Sequence, residues 1–153
     1  MKHIKRNFLI CLLFSFCNVV WGQTSKNQTV EWVKISEDEA VSIYYNSKIE
    51  TDKKGNHIVW VKAVYHTIDW QSYFAEQIGS RVPVTMTKTK AMFDSRYCYV
   101  LIRQVICYSK AGKVLFNSGD DFSGGWSPVN ASDPVGIVGE YLCDQQEKNF
   151  VEE

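Results

Sequence analysis

Residues Tyr97 to Tyr108 form the longest apolar stretch beyond the first 22 residues, and they are apolar at both parities. On an extended chain Tyr97, Tyr99, Leu101 and Val105 fall on one side, and Val100, Ile102 and Ile106 on the other. A strand with two apolar faces is expected to lie centrally in a sheet, with something covering each side. Ser109-Lys110-Ala111-Gly112 then supplies a hairpin loop with glycine where left-handed backbone is needed, and Lys113 to Phe116 returns. This pairing makes the sheet antiparallel.

Other segments follow the same period of two. From His57 to Thr67, Val59, Val61, Ala63 and Tyr65 make an apolar face, while Ile58, Trp60, Lys62, Val64 and His66 make a mixed one. Upstream, residues 30–35 and 41–45 alternate around the polar loop Ser36 to Glu39, which predicts a hairpin. Thr51 to Asn56 carries a turn signal. Residues 69–92 are the least readable. Asp69 is placed to cap a short helix through Ile78 that ends at Gly79, and Trp70, Phe74 and Ile78 would share its face. An irregular surface loop fits equally well. Thr85 to Lys90 is polar and β-prone, which suggests an edge strand.

Near the end of the chain, Ser132 is placed to cap and Pro134 suits a first helical turn. Val135, Val138 and Leu142 follow at helical spacing, widened by Tyr141 and Cys143. A single helix of about 12 residues is expected, with its stripe on the sheet. The fold class is therefore α+β, mainly antiparallel β, with about six strands and one C-terminal helix packed on the sheet.

The amino terminus addresses the compartment. Lys2, His3, Lys5 and Arg6 precede a short apolar run from Phe8 to Phe16, and Val20-Trp21-Gly22 offers small residues at a cleavage site. This is the pattern of a secretory signal over residues 1–22, too short to span a bilayer. The predicted organisation is a signal (1–22), a polar tail (23–28), one domain (29–147) and a C-terminal tail (148–153). Cleavage would leave 131 residues, one domain's worth. It would also remove three basic residues, taking the net charge from zero to −3. A mildly acidic domain lacks the clustered lysine and arginine that phosphate backbones require, so no nucleic-acid partner is expected. No mature segment reads as a transmembrane span or a basic amphipathic helix. The expected location is exported: periplasmic, secreted or associated with the cell surface.

Chemistry-bearing patterns are sparse. His57 and His66 have opposite parity on one strand, and no Cys/His spacing of a metal site occurs, so neither metal nor other cofactor is expected. A Gly-x-Ser-x-Gly elbow is absent. Ser123-Gly124-Gly125 lacks the lysine of a phosphate loop, and the acidic groups at residues 37–39 and 120–121 sit in polar loops where carboxylates are ordinarily solvated. Cys98, Cys107 and Cys143 remain after the signal, an odd number that reads most simply as one disulfide and one free thiol. In a continuous strand Cys98 and Cys107 would stand about 30 Å apart and would not pair, which leaves either one open to Cys143. Three reduced thiols is the alternative. Aromatics are abundant; most belong in a core, but Trp60, Lys62, Trp70, Tyr73 and Trp126 are the residues assigned to a contact surface.

The order of several short motifs resembles a known family. Trp32 stands on an early strand, Tyr44-Tyr45 on a second, and Lys48-Ile49 precedes a Gly-Asn turn. Trp60-Val61-Lys62, Phe93-Asp94 and Arg103 follow, then Gly112-Lys113-Val114, Trp126-Ser127-Pro128-Val129 and Leu142-Cys143-Asp144. Over about residues 30–145 the chain is similar to the bacterial surface-adhesin protein E-like domains. The resemblance implies a non-enzymatic domain binding extracellular matrix or envelope proteins, able to form a homodimer, with a disulfide tying the last helix to a strand. Cys98 lies nearer the family position than Cys107, so the implied pair is Cys98–Cys143, although Ser95 stands where the family commonly has cysteine. Two rival classes are a periplasmic small-ligand carrier with a cavity between sheet and helix, and a hydrolase without a recognisable motif. A deep apolar pocket favours the carrier, an aromatic patch without a pocket favours the protein binder, and a histidine or buried carboxylate with a close partner favours the enzyme.

Overall fold

The computed structural model describes residues 31–120 and 124–151. The signal and the polar tail lie outside the described residues. Eight strands form one antiparallel sheet: β1 (Trp32–Glu37), β2 (Val41–Asn46), β3 (Glu50–Thr51), β4 (His57–Tyr65), β5 (Met86–Phe93), β6 (Tyr99–Tyr108), β7 (Val114–Asn117) and β8 (Ser127–Pro128). Their order is β1-β2-β4-β5-β6-β7, with β3 beside β4 and β8 beside β6. Two helices, α1 (Ile68–Gln77) and α2 (Pro134–Val151), complete the described residues. The architecture is the expected α+β one, with the C-terminal helix on the sheet.

Local chemistry fixes the turns. Asp52 accepts backbone N–H bonds from Lys54 and Asn56, and Gly55 takes a φ of 84° there. Both this and the loop at Gly112 (φ 79°) use glycine where a side chain would strain the backbone. The short helix at 68–77 is present and closes by a Schellman arrangement. Gly79 N–H donates to the Glu76 carbonyl, Ser80 N–H donates to the Ala75 carbonyl, and Gly79 has φ 65°. Thr67, in extended conformation, is the N-cap; Asp69 sits in the first turn.

Both helices lie over one face of the sheet. At the α2 end, Val138 and Leu142 pack with Ile43, Val59, Val61, Ala91, Phe93, Tyr97 and Val100. At the α1 end, Ala75 joins Val84 and Cys107, flanked by Phe74, Ile78, Val105 and Leu115. Two glycines bring α2 down onto its neighbours. A Cβ on Gly136 would overlap the Asn130 carbonyl, and one on Gly139 would come within 2.8 Å of the Phe93 ring.

Four expectations change. Residues 86–93 are an interior strand between β4 and β6 rather than an edge; Ala91 and Phe93 are fully buried, and Thr87 spends its polarity on a hydrogen bond. Among the described residues, strand β6 is covered on one face only. A bulge opposite Lys90 and Ala91 adds a residue to β6 between Ile102 and Gln104, so its inward set becomes Val100, Ile102, Val105 and Cys107. Its other apolar residues lie half-buried on an uncovered face. Helix α2 runs for 18 residues, through Val151, where a tail had been expected from residue 148. Its first turn is capped by Asp133, whose carboxylate accepts the Gly136 N–H at 2.8 Å, rather than by Ser132.

Candidate functional site: an aromatic-walled cleft between the helices

Between α1 and the start of α2 the sheet is left bare, and two adjoining hollows of about 370 and 420 Å³ open there. Tyr65, Tyr73, Phe74, Asp133 and Pro134 line both. Strands β4, β5 and β6 floor the first hollow with Val61, Ala63, Thr87, Ile102, Val105 and Cys107. The second is closed by Val41, Ile43, Trp70 and Ile137. Each volume falls in the range of small-molecule sites, which are typically apolar with a few polar groups.

An aromatic ladder builds the wall. Tyr65 meets Phe74 with centroids 4.5 Å apart, Phe74 meets Tyr73 at 5.2 Å, and Trp70 stands 5.8 Å from Tyr73 and 6.0 Å from Phe74. Helical spacing places these residues together: 70, 73 and 74 share one side of α1. Gln71 secures the helix by donating from Nε2 to the Tyr65 carbonyl at 2.8 Å. The Tyr65 hydroxyl and Thr87 Oγ1 lie 3.0 Å apart at the base of the cleft. Burial is the main cause that pushes the Tyr65 phenol up to about 12.

The cleft's titratable groups are each shifted or engaged by their surroundings. Burial pushes the Cys107 thiol up, which favours the un-nucleophilic form. Backbone N–H bonds from Val41 and Ala40, both 2.7 Å, keep Asp38 ionised and acceptor-only. Asp133 is engaged at the α2 terminus. Among the described residues, no histidine, lysine or arginine lines either hollow.

One constellation outside the cleft has the outward form of a catalytic serine. Ser42 Oγ lies 2.7 Å from His66 Nε2 and donates to Glu37 Oε1 at 3.0 Å. With the hydroxyl proton directed at Glu37, His66 Nε2 is the donor to Ser42 and has no lone pair to accept a proton. The carboxylate bonds the serine rather than orienting the imidazole. Ser42 is also fully buried. The trio clasps the β1–β2 hairpin to the end of β4.

The five residues assigned to a contact surface divide into three places. Trp70 and Tyr73 are together on α1 at the rim of the cleft, each about half exposed. Trp60 and Lys62 are on the opposite, uncovered face of the sheet, on β4. Exposed Trp126 leads into β8, separated from β4 by β5 and β6. The cleft residues Tyr65, Phe74 and Cys107 were not singled out as a site from sequence. Tyr65 and Phe74 read there as face-forming residues of their own elements, and only the packing of α1 beside β4 brings them together.

The three cysteines among the described residues are free thiols in the structure. Cys107 is buried at the α1 end, whereas Cys143 lies on α2 within the other cluster. Burial first, then Glu147 and the Cys98 thiol, push the Cys143 thiol up, so Cys98 is its electrostatic neighbour. Gln146 Nε2 also donates to the Ser95 carbonyl at 3.4 Å, joining α2 to the turn that carries Cys98. Among the described residues no group of three or more His, Cys, Asp or Glu side chains converges as a metal site, and no helix is long and apolar enough to cross a membrane. In comparison with known proteins, the chain matches no family model, no curated protein and no solved structure.

Proposed function

We propose that this chain is an exported, non-enzymatic binding domain that holds a small apolar molecule in the cleft between α1 and α2. The observation that carries the reading is the pair of adjoining hollows walled by Tyr65, Tyr73 and Phe74. Apolar walls supply the affinity, while the Tyr65–Thr87 hydroxyl pair gives a ligand one polar point to orient against. The amino-terminal pattern supports export. A neutral solvatochromic dye such as Nile red tests the site. Saturable binding with a blue shift, weakened by Tyr73→Ala and by the cleft-filling Ala63→Leu, is the expected result. Equal binding by wild type and both variants, with each variant folded by circular dichroism, would exclude the cleft.

A second reading takes a protein as partner, as the likeness to surface-adhesin protein E-like domains implies. Its support is the exposed apolar row of Ile68, Trp70, Tyr73 and Val82 along α1 and the loop after it. Retention on immobilised matrix proteins or envelope extract that is lost in Ile68→Ala, an exposed residue lining neither hollow, together with no saturable dye binding by the wild type, selects this reading over the first.

A further inference from the structure

The uncovered face of the sheet carries a lysine pair whose geometry the cleft does not explain. Lys62 on β4 and Lys88 on β5 are direct antiparallel partners. Like charges placed opposite each other on one sheet face repel. Among the described residues the two ion pairs are Lys34–Glu37 and Lys90–Asp120, so neither Lys62 nor Lys88 has a carboxylate partner there. Aromatic rings hold both ammonium groups instead. Lys62 Nζ stands 4.1 Å from the Tyr44 ring centroid and 4.8 Å from that of Trp32. Lys88 Nζ stands 5.6 Å from the same Trp32 ring and 5.3 Å from Tyr108.

We infer that Lys62 and Lys88 form an anion site for a doubly charged tetrahedral oxyanion: free phosphate or sulfate, or the phosphate monoester of a small molecule. Three physical points lead there. The rings supply partial negative charge at their faces but no full counter-charge, so two positive charges remain to be neutralised. One dianion placed against both ammonium groups turns their repulsion into two charge-assisted hydrogen bonds. The rings also limit the wandering of two long side chains, so less ordering is needed on binding. Burial and the neighbouring Lys88 both favour loss of the Lys62 proton, and a bound dianion would reverse that tendency. Half-buried Trp60 lies two residues along β4 on the same face, where it offers a ring surface to the organic part of an ester.

The test titrates the purified mature chain with inorganic phosphate, sulfate and glucose 6-phosphate, and with sodium chloride at matched ionic strength. Tryptophan fluorescence and the thermal midpoint are the readouts. The expected result is saturable quenching and a raised midpoint with the dianions and neither with chloride. Lys62→Gln and Lys88→Gln should each weaken binding by about tenfold or more, as befits loss of one charge-assisted partner. Without anion, their midpoints should equal or exceed that of the wild type, since the repulsion is gone. Tighter binding of glucose 6-phosphate than of phosphate assigns an ester; equal binding assigns the free anion. Responses to chloride equal to those to phosphate, or wild-type affinity in folded Lys88→Gln, would overturn the proposal.

Discussion

The two helices cover the same sheet face in different ways. Helix α2 sits directly on it, because Gly139 presents no side chain where the helix approaches Phe93 and Val138 is fully buried. Helix α1 brings Trp70, Tyr73 and Phe74, whose bulk props it beside the sheet, and Ala75 is its only fully buried residue. Small residues seat one helix, and large aromatics hold the other away and create a cleft. Stability should therefore be concentrated at the α2 end and adaptability at the α1 end.

The largest expected effect tests the closed end. Phe93→Ala removes a fully buried ring beneath Gly139 and should cost about 3–5 kcal/mol in urea unfolding. A loss under about 1 kcal/mol would mean that α2 is not seated as described.

Next is the thiol pair near that end. We propose that the exported, oxidised chain joins Cys98 to Cys143, and in the chain-entropy model closing that loop adds about 3–4 kcal/mol relative to the reduced chain. Thiol titration of the oxidised protein should then find one reactive group, buried Cys107, accessible only after denaturation. Three titrating thiols would refute the pairing.

Alkaline titration probes the base of the cleft. The Tyr65 phenol is raised from 10 to about 12, so the folded chain holds that proton more tightly than the unfolded one. Its contribution is complete below pH 10 and is lost as pH climbs through about 12, an effect on the order of 3 kcal/mol. Tyr65→Phe should flatten the stability profile across that window. An unchanged profile would remove Tyr65 from the account.

The smaller effects belong to α1. Phe74→Ala should cost only about 1–2 kcal/mol, because the half-buried ring already borders open space. A cost equal to that of Phe93→Ala would erase the contrast between the helices. Trp70→Ala, half exposed, should shift stability by no more than about 0.5 kcal/mol while altering binding.

Much of the fold was legible because its signals are local. The Val59-Val61-Ala63-Tyr65 face, the Gly112 loop and the Val138–Leu142 stripe each declare themselves within one element, and each occurs as read. The failures share a cause in pairing between elements. Thr87 and Thr89 look like solvent-facing residues until β6 is placed beside them, and the bulge in β6 cannot be read from a uniform period of two. The site was less legible still. Nothing in the run from Asp69 to Ile78 says that its aromatics will meet Tyr65, because that contact depends on how α1 leans against β4. The Lys62–Lys88 juxtaposition likewise requires the β4–β5 register.

The extra residue in β6 has a consequence for how this chain can vary. It divides one long strand into two short ones read in opposite phase: Val100 and Ile102 before it, Val105 and Cys107 after it. Val100 packs at the α2 end and Val105 and Cys107 at the α1 end, while Ile102 touches the α2 cluster and also floors the first hollow. Each half keeps its own inward alternation. Deleting that one residue would turn the inward set of one half of β6 outward.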